Sequence, residues 1–297
     1  MSIRFLKYSK IYFIFSVILI LASIVSLIVF GLKPGIDFTG GSILEVEYKG
    51  ERPSNQQIKE LLANFNLGEF SVQPTDEKGV ILRMKEIPEE IHQEIIEKLE
   101  ENNDLTELRF ESIGPVIGRE LREKTAVVIL LSLAAILLYI AVAFRKLSFP
   151  AKSWQYGLAS LIALFHDTLI PLGIFSILGR FYEIQITIPV IVALLTVLGY
   201  SINNTVVVFD RIRENSLKRV GKNYEETVNI SMNQTLTRSL STSLTTLFVL
   251  LAIFFFGGET LKYFSLMLIL GITAGTYSSF FLASPLLVAW LKLTKKL

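Results

Sequence analysis

The chain has 297 residues, no cysteine, 51% hydrophobic residues and a mean hydropathy of +0.51. A soluble protein of this length rarely reaches that hydropathy, and the lack of cysteine excludes disulfides and thiolate metal sites. The net charge of +2 hides an uneven distribution, because residues 33–124 hold 20 acidic and 12 basic side chains while the remainder holds 7 acidic and 17 basic ones. This pattern indicates a membrane protein with one acidic, water-facing domain.

Six apolar stretches are long enough to cross a bilayer, which takes about 20 residues. They are residues 11–31, 125–144, 154–178, 185–209, 239–257 and 263–290. The first stretch has a longer apolar core than a signal peptide and no A-x-A-like cleavage site after it, so we predict a retained span. The other five form a membrane domain over residues 125–291.

Lysine and arginine concentrate in alternate gaps between these spans, and the positive-inside rule assigns such gaps to the cytoplasm. The cations concerned are Arg4, Lys7, Lys10, Arg145, Lys146, Lys152, Arg211, Arg213, Lys218, Arg219, Lys222, Lys292, Lys295 and Lys296. We therefore predict that the termini, residues 1–10 and 292–297, are cytoplasmic. The acidic block over residues 32–124 is then outside.

The pattern within residues 32–124 predicts a small α/β domain. Strands are predicted over residues 43–48, 69–73, 79–84 and 105–113, with helices that begin at a capping box of Ser54 and Gln57 and at Pro88 as the first helical residue. The order β-α-β-β-α-β is that of the split βαβ, ferredoxin-like fold. The domain shows no catalytic constellation, and its histidine, His92, is expected to be solvated on a glutamate-rich helix.

The stretch GIDFTGGS opens this domain. Its glycines, Gly35, Gly40 and Gly41, permit positive φ and close backbone approach. A phosphate-binding loop would be followed by a helix N-terminus, whereas a strand is predicted at this point of the chain. We interpret the stretch as a tight structural turn into the domain, in which Asp37 caps or turns the chain.

Ionisable residues inside membrane spans cost about 3 kcal/mol on insertion scales, so each is a functional candidate. His166 and Asp167 lie midway along the third span, and Pro171 follows four residues after the aspartate. One interpretation is a proton-relay pair, and the alternative is a polar pair that hydrogen-bonds a neighbouring helix. Because adjacent residues on a helix point about 100° apart, we do not expect both side chains to face one cavity.

The fourth and fifth spans carry more polar residues near their cytoplasmic ends. In the fourth span Asn203 and Asp210 share one face, while Ser201 and Asn204 share another. Arg238 begins the fifth span among seven hydroxyl side chains, and such a polar start should face protein or water. The alternative for this arginine is snorkelling to the headgroups.

Residues 210–236 form a charged segment with apolar side chains at helical spacing, which predicts an interfacial amphipathic helix. Asp210 and Arg211 at its start mark the cytoplasmic edge of the fourth span. In the sixth span the sequence GITAG supplies Gly271 and Gly275, a small-xxx-small pattern that is typical of close helix packing.

Seven stretches, taken in chain order, resemble the SecF side of the SecD/SecF family. They are GIDFTGGSILEVEY, SIGPVIGRELREK, ALFHDTLIPLG, GYSINNTVVVFDRIREN, TLTRSLSTSLTT, FFFGGETLKYFSL and GTYSSFFLASPLL. The resemblance covers almost the whole chain, and GYSIN-x-TVVVFDRIREN is highly specific, whereas GIDFTGG is shared with SecD. It implies a polytopic α-helical protein with six transmembrane helices, one half of an RND-type module, and a ferredoxin-like periplasmic domain between the first two spans.

The same resemblance implies a subunit of the Sec preprotein translocase in the bacterial inner membrane that is not an enzyme. With SecD it would use a transmembrane gradient of protons or sodium ions to promote late steps of protein export. The implied partners are SecD, the SecYEG channel with SecA, the translocating preprotein and a small YajC-like subunit. No cofactor, metal or nucleic acid is implied.

The chain departs from the family pattern at one position of the ion pathway, which uses a carboxylate in the fourth span, an arginine in the fifth and a carboxylate of SecD. The arginine falls on Arg238. The usual SINDT is replaced by SINNT, so that Asn204 stands at the carboxylate position, 34 residues before the arginine. An amide cannot titrate.

Three interpretations of Asn204 stay open on the sequence. The partner's carboxylate alone carries the ion, the subunit is coupling-deficient or differently coupled, or the residue is an Asp→Asn substitution that imitates the protonated state. A passive scaffold subunit is therefore a serious alternative function. An intramembrane aspartyl protease would need two opposed deep aspartates, whereas only Asp167 is deep, and a zinc protease would need an H-E-x-x-H motif, which is absent. Small-molecule exporters of the RND kind usually carry much larger outer domains.

Overall fold

The computed structural model describes residues 3–68, 70–75, 77–101, 103–145 and 151–293. These residues form two compact units. The membrane unit holds the described residues up to Leu32, Ile129–Ile184 and those from Ile188 onward, and the α/β unit holds Lys33–Val128 with Gln185–Thr187. Lys146, Lys295 and Lys296, which contribute to the predicted orientation, lie outside the described residues.

Helices and strands follow one another along the chain in an order that begins and ends in the membrane unit. They are a 3-10 turn (Phe5–Tyr8), α1 (Ser9–Phe30), α2 (Ile36–Thr39), β1 (Gly41–Tyr48), α3 (Asn55–Leu61), β2 (Ser71–Thr75), β3 (Gly79–Met84), α4 (Glu89–Glu100), β4 (Leu105–Ile113), α5 (Pro115–Phe144), α6 (Ser153–Tyr182), α7 (Ile188–Leu217), α8 (Tyr224–Phe256), α9 (Glu259–Ser278), a π-helical turn (Ser279–Ala283) and α10 (Ser284–Leu293).

The α/β unit is built on a four-stranded sheet in the order β2-β3-β1-β4, with neighbouring strands antiparallel. This is the strand order of the ferredoxin-like fold, so the predicted fold of this domain is confirmed. Leu44 and Val46 of β1 and Val80 and Leu82 of β3 are fully buried in one core cluster. Helices α3 and α4 contribute apolar side chains to the same cluster.

The two main helices of this unit begin close to their predicted starts. At α3 the backbone N–H of Gln57 donates to Ser54 Oγ at 3.3 Å, and the Ser54 N–H donates to Gln57 Oε1 at 2.8 Å, which is the predicted capping box. The sequence predicts Pro88 as the first helical residue. It instead precedes α4 in an extended conformation, with ψ of 165°, so that prediction is wrong by one residue.

His92 is buried in the α/β unit, with 3% of its surface exposed, so the expectation of a solvated side chain is wrong. The physical reason is its place on α4, where it shares the buried face with Ile95 and Leu99, three and seven residues further on. The carboxylates of Glu89 and Glu107 contact its two ring nitrogens, at 3.1 and 3.3 Å. The Glu89 contact is a hydrogen bond, whereas Nε2 has no hydrogen-bond partner among the described residues, so polar contacts compensate for burial of the imidazole only in part.

In the described part of the chain, six helical segments are long and apolar enough to cross a membrane. They are Phe5–Phe30, Pro115–Phe144, Ser153–Tyr182, Ile188–Leu217, Tyr224–Phe256 and Leu261–Leu293. The predicted six-span class is therefore confirmed. Helices α6 and α7 and the segment from α9 to α10 are the most buried, whereas α1, α5 and α8 leave many large apolar side chains exposed. Such exposed apolar faces are expected of helices that contact lipid or a partner protein.

The segment predicted as an interfacial amphipathic helix over residues 210–236 is not a separate helix. It is divided between the end of α7 and the beginning of α8, with a short turn between them. Its apolar residues Val228 and Met232 are fully buried in the same cluster as Phe209 and Ile212 of α7. The amphipathic pattern is real, but protein rather than a membrane surface covers the apolar face.

Candidate functional site

A fully buried carboxylate lies where three helices of the membrane unit meet. Asp167 of α6 has no exposed surface, and its Oδ2 accepts hydrogen bonds from Ser201 of α7 at 2.5 Å and from Ser278 of α9 at 2.7 Å. The two serines come from distant parts of the sequence, 34 residues after and 111 residues after the aspartate. The site therefore depends on tertiary packing rather than on any local motif.

The other carboxylate oxygen of Asp167 contacts the neighbouring imidazole. His166 Nδ1 lies 2.8 Å from Asp167 Oδ1, and both side chains are fully buried. The expectation that these adjacent residues would not face one site is wrong. The two side chains reach each other across the 100° between their positions on the helix, as the 2.8 Å contact shows.

The second ring nitrogen, His166 Nε2, is buried and has no hydrogen-bond partner within the described residues. The imidazole ring stacks on Tyr277 of α9, with ring centroids 5.8 Å apart and planes at 23°. The Tyr277 hydroxyl donates to the backbone carbonyl of Tyr12 and accepts from Ser16 Oγ, at 3.2 and 3.3 Å. The site is thereby connected to α1 as a fourth helix.

Small residues permit the close approach of these helices. A Cβ atom at Gly275 of α9 would lie 3.3 Å from Ser201 and 3.4 Å from Asp167 Oδ2. At Gly271, one turn earlier, a Cβ would lie 2.2 Å from a methyl carbon of Val197. The GITAG pattern, which predicts close packing from sequence, thus places α9 against α7 beside the buried carboxylate.

The π-helical turn directly follows Ser278. A π turn adds one residue to a helical turn and changes which side chains face a neighbouring helix. Within it, Ser279 Oγ lies 3.0 Å from Thr205 Oγ1 of α7, and Ser284 Oγ donates to the Ser279 carbonyl at 2.8 Å. These hydroxyls continue the polar contact between the sixth span and α7 beyond the carboxylate.

The two adjacent amides of α7 differ in exposure. Asn204 is buried, with 4% of its surface exposed, and its Nδ2 has no hydrogen-bond partner in the part of the chain that the structure describes. Asn203 is exposed. Neither amide contacts the Asp167 carboxylate through a hydrogen bond among the described residues.

Arg238 lies at the level of Asn204 along the α7–α8 pair. The Tyr200 hydroxyl of α7 donates to Ser243 of α8, and Arg211 donates to Gln234. Because these two contacts lie on either side of Asn204, they place it opposite residues 239–241 of α8. The arginine side chain is exposed, and no hydrogen bond or ion pair holds it among the described residues. The two positions therefore lie at a similar level along the helix pair, and the Arg238 side chain is exposed to a partner surface.

Asp210 and Arg211 occupy the polar end of α7. Asp210 is exposed and lies 3.6 Å from Arg213 in an ion pair along the helix. Arg211 donates to Glu214 on its own helix at 2.5 Å and to Gln234 of α8 at 2.7 Å. The bond to Gln234 joins α7 to α8, and none of these contacts involves the buried carboxylate.

The glycine-rich turn into the α/β unit has the geometry that its composition favours. Gly40 and Gly41 adopt φ angles of 75° and 132°, which suit glycine alone among common residues. The Gly35 N–H donates to the carbonyl of Ile186 at 2.8 Å, within the same unit. Asp37 lies in the first turn of the short helix α2. The roles of these residues are consistent with a structural turn.

Within the described residues, no group of three or more His, Cys, Asp or Glu side chains could hold a metal ion. Ser201 and Ser278 are the members of the buried site that sequence reasoning does not select as candidates. The signals in the sequence are weak, since Ser201 shares a face with Asn204 and Ser278 follows the small-residue pattern of α9. The pairing of both serines with Asp167 has no signal in the sequence.

Two family models match this chain. The model described as protein export membrane protein SecD/SecF, C-terminal, matches residues 93–293, and the model of the SecD/SecF GG motif matches residues 25–51. The second match contains Gly40 and Gly41, and the first contains every residue of the buried polar site on α6, α7 and α9.

Curated relatives and a solved structure agree with these matches. The chain is 44% identical over 294 residues to protein translocase subunit SecF of Thermobaculum terrenum, with 94% of this chain and 91% of that protein covered. Identity is 39% over 293 residues to protein translocase subunit SecF of Vibrio alginolyticus, with 96% and 89% covered.

The crystal structure of SecDF from Thermus thermophilus, described as a translocon-associated membrane protein, superposes on this chain with a TM-score of 0.84 and 34% identity. The superposition covers 98% of this chain and 39% of that one, so the chain spans well under half of the SecDF polypeptide. The chain therefore belongs to the SecD/SecF family of protein export membrane proteins, on its SecF side.

Proposed function

We propose that this subunit pairs with SecD in the bacterial inner membrane and uses a transmembrane ion gradient to promote late steps of protein export. In this proposal it works beside the SecYEG channel and SecA on the translocating preprotein, with a small YajC-like subunit as a further partner. Both termini are cytoplasmic, and the α/β unit is periplasmic. The subunit does no covalent chemistry, and its work is a movement of helices against the SecD half.

The observation that carries the proposal is the fully buried Asp167 in the middle of a membrane span. A carboxylate at that depth is costly to insert, and the cost is seldom accepted for packing alone. Its hydrogen bonds to Ser201 and Ser278 join three helices. A change in the charge of Asp167 would therefore affect the contacts of α6, α7 and α9 together. A subunit that is driven by an ion gradient needs a buried ionisable group of this kind, in contact with several helices.

Arg238 is proposed to act at the surface that SecD covers, and Asn204 in the buried layer at the same level of the α7–α8 pair. The arginine is exposed and unpaired among the described residues, and the Asn204 amide donor is buried without a partner. The donors of Arg238 are accessible to an acidic group from outside the chain, and that of Asn204 becomes accessible to such a group when the helices move. A SecD carboxylate near both residues would complete an ion pathway that this chain holds only in part.

A passive scaffold subunit is the second candidate function. The specific observation in its favour is Asn204 itself, because the family's titrating carboxylate is replaced by an amide that has one charge state. In that case the subunit would support assembly with SecD without coupling to the gradient.

The two functions are separated by export and ion-flux assays in vesicles that contain this chain, SecD and the translocase. Asn204→Asp should raise gradient-dependent export or flux, because it restores a titrating group at the level of Arg238. Arg238→Ala should abolish the gradient-dependent part. Lys222→Ala, which removes an exposed cation in the turn after α7, is the matched control and should leave it unchanged.

No response to Asn204→Asp would favour the scaffold. Flux that survives Arg238→Ala would contradict the role given to that arginine. Equal losses in Arg238→Ala and Lys222→Ala would show only a general dependence on surface charge and would count against both assignments.

A further inference from the structure

We infer that His166 and Asp167 form a proton-binding site of the membrane unit, one that exchanges a single proton with water. The inference rests on the geometry of the pair and requires neither SecD nor a gradient, so it goes beyond the proposed function. The two side chains are fully buried, and Nδ1 of the imidazole lies 2.8 Å from Oδ1 of the carboxylate. One proton can therefore be held between two titrating atoms.

The surroundings contain few other groups that titrate. Tyr277 of α9 stacks on the imidazole, and Tyr12 of α1 meets the Tyr277 hydroxyl through its backbone carbonyl. The facing part of α7, residues 188–208, has no Asp, Glu, Lys, Arg or His, and neither have α1 over residues 11–30 and the sixth span over residues 263–291. No fixed countercharge from these helices faces the pair.

The absence of a countercharge selects the protonation state. A net charge in the membrane core is unfavourable, so the favoured state of the pair has zero net charge. In that state the pair holds one proton more than it does when a neutral imidazole lies beside an ionised carboxylate. When the proton passes to water, the electron pair of its bond stays on nitrogen or oxygen and Asp167 is left with a negative charge.

In this proposal the proton is taken up and released at His166 Nε2, because Nδ1 is engaged with Asp167 and Nε2 has no partner among the described residues. A proton accepted at Nε2 makes an imidazolium. The Nδ1 proton can then transfer to Asp167 Oδ1, which leaves a neutral imidazole beside a neutral carboxylic acid. Atoms and charge balance at each step, and no other reactant is needed.

The hydroxyl contacts favour a proton over a sodium ion as the ligand. Ser201 Oγ and Ser278 Oγ lie 2.5 and 2.7 Å from the same carboxylate oxygen, so their protons lie between the oxygens. A sodium ion among these atoms would need both hydroxyls to rotate away and the oxygens to separate. A proton on the neighbouring oxygen needs no such opening.

The hydroxyls also link the proton to helix packing. Ser278 Oγ lies 2.7 Å from the carboxylate and 3.3 Å from the carbonyl of Gly275, yet it has one proton to donate. An ionised carboxylate attracts that proton more strongly than a neutral acid does. Release of the proton from the pair therefore tightens the α6–α9 contact, and uptake loosens it.

The test uses the fact that the chain has only two histidines. The full chain carrying His92→Gln and ¹⁵N-labelled histidine is placed in lipid nanodiscs, so that its ring signals come from His166 alone. We expect these signals to change in one step as the pH is varied. Loss of the proton changes the surroundings of Nδ1 whether the proton was held on the imidazole nitrogen or on the carboxylate oxygen. Signals that stay constant over the range in which the protein remains folded would overturn the inference.

Two variants give opposite shifts, which a merely structural pair would not show. In Asp167→Asn the favoured state is a neutral imidazole, so the step should move to lower pH. In Ser278→Ala the ionised carboxylate loses a donor, so the step should move to higher pH. Shifts in one direction for both variants, or none, would contradict the proton site. The serine variant keeps the test decisive where the aspartate variant does not fold.

A comparison of titrations with and without sodium completes the experiment. The titration is repeated with sodium chloride and with choline chloride at equal ionic strength, and the step should fall at the same pH in both. A step that depends on sodium would mean that the ion rather than the proton occupies the site, and the inference would fail. Since no gradient is applied, a negative result in the export assay leaves this outcome unaffected.

Discussion

The imidazole of His92 lies flat on the ring of Phe110, with ring centroids 3.8 Å apart and planes 2° apart. The contact joins α4 to the edge strand β4 of the α/β unit. Glu89 and Glu107 lie at the two ring nitrogens of the same side chain. One histidine thus fills an aromatic position in the packing, and Glu107 of β4 adds one polar contact between the helix and the sheet.

Replacing this histidine should loosen α4 from the sheet. We expect His92→Ala to lower the local free energy of unfolding by about 2 kcal/mol, from the lost stack and the space that remains. Hydrogen exchange of peptides from residues 89–113 in the full chain would measure the change. Glu94→Ala, at an exposed position of the same helix, should have almost no effect. Equal protection in the two variants would contradict the importance of the stack.

The pair of glycines at the start of β1 should not tolerate a side chain. Gly41 has a φ of 132°, and a Cβ there would lie 2.7 Å from the carbonyl oxygen of Met84. Gly41→Ala should therefore destabilise the α/β unit by about 1–3 kcal/mol. Pulse proteolysis of the full chain would report the loss. Gly50→Ala is the matched control, because its nearest neighbouring atom is 3.9 Å away and its φ is not positive.

The stability of the α/β unit should fall at alkaline pH through Tyr48. Burial of its ring raises the pKa of Tyr48, and the positive charge of Arg52 lowers it by a smaller amount. The folded-state pKa is thus above the unfolded one, so this contribution is complete below about pH 10 and is lost as the pH rises through the folded-state pKa. Resistance to proteolysis should decline at alkaline pH, and Tyr48→Phe should remove the part of the decline that comes from this tyrosine. Tyr182→Phe, at an exposed position, should retain it.

The hydroxyls around Asp167 should stabilise the membrane unit. Ser201→Ala and Ser278→Ala each remove a donor to a buried carboxylate, and each should cost about 1.5–3 kcal/mol. Both hydroxyls bond the same oxygen, so the double variant should deviate from the sum of the single losses. The exposed Ser241 supplies a control, Ser241→Ala, with little expected change.

Unfolding of this unit can be followed by tryptophan fluorescence in detergent. The chain has two tryptophans, Trp154 and Trp290, and they lie together in the membrane unit with ring centroids 4.8 Å apart. Additive losses in the serine double variant would mean that the two hydroxyls act independently and would contradict the shared-oxygen arrangement.

Features that depend on local pattern are predictable from the sequence. The six spans follow from apolar length, and the strand order of the α/β unit follows from alternation and turn residues. The capping box of Ser54 and Gln57 forms as predicted, because both residues belong to one turn. In each case the physical cause lies within a few residues of the effect.

Features that depend on distant residues are not predictable in this way. Ser278 lies 111 residues from Asp167 in the sequence, and only the packing of α9 on α6 brings them together. The charge-rich surroundings of His92 conceal its stack on Phe110, which belongs to another element. The extension of α7 and α8 beyond their apolar stretches is also hidden, because protein covers an amphipathic face that the sequence alone could assign to a membrane surface.

A close approach of α9 to α7 at Gly271 gives a final prediction. A Cβ added at Gly271 would lie 2.2 and 2.5 Å from the two methyl carbons of Val197, which is fully buried. Valine is stiff at χ1 and cannot move its methyls aside within a packed helix. Gly271→Ala should therefore lower the free energy of unfolding of the membrane unit by about 1–3 kcal/mol.

A second substitution should rescue this loss. Val197→Ala removes the two methyl carbons that the new Cβ would meet, so the double variant Gly271→Ala with Val197→Ala should be more stable than Gly271→Ala alone, with a coupling of about 1 kcal/mol or more. Gly199→Ala is the matched control on α7, since no atom lies within 4 Å of its added Cβ, and it should not destabilise the unit. A double variant that is less stable than both single variants would show that α9 and α7 do not meet at this pair.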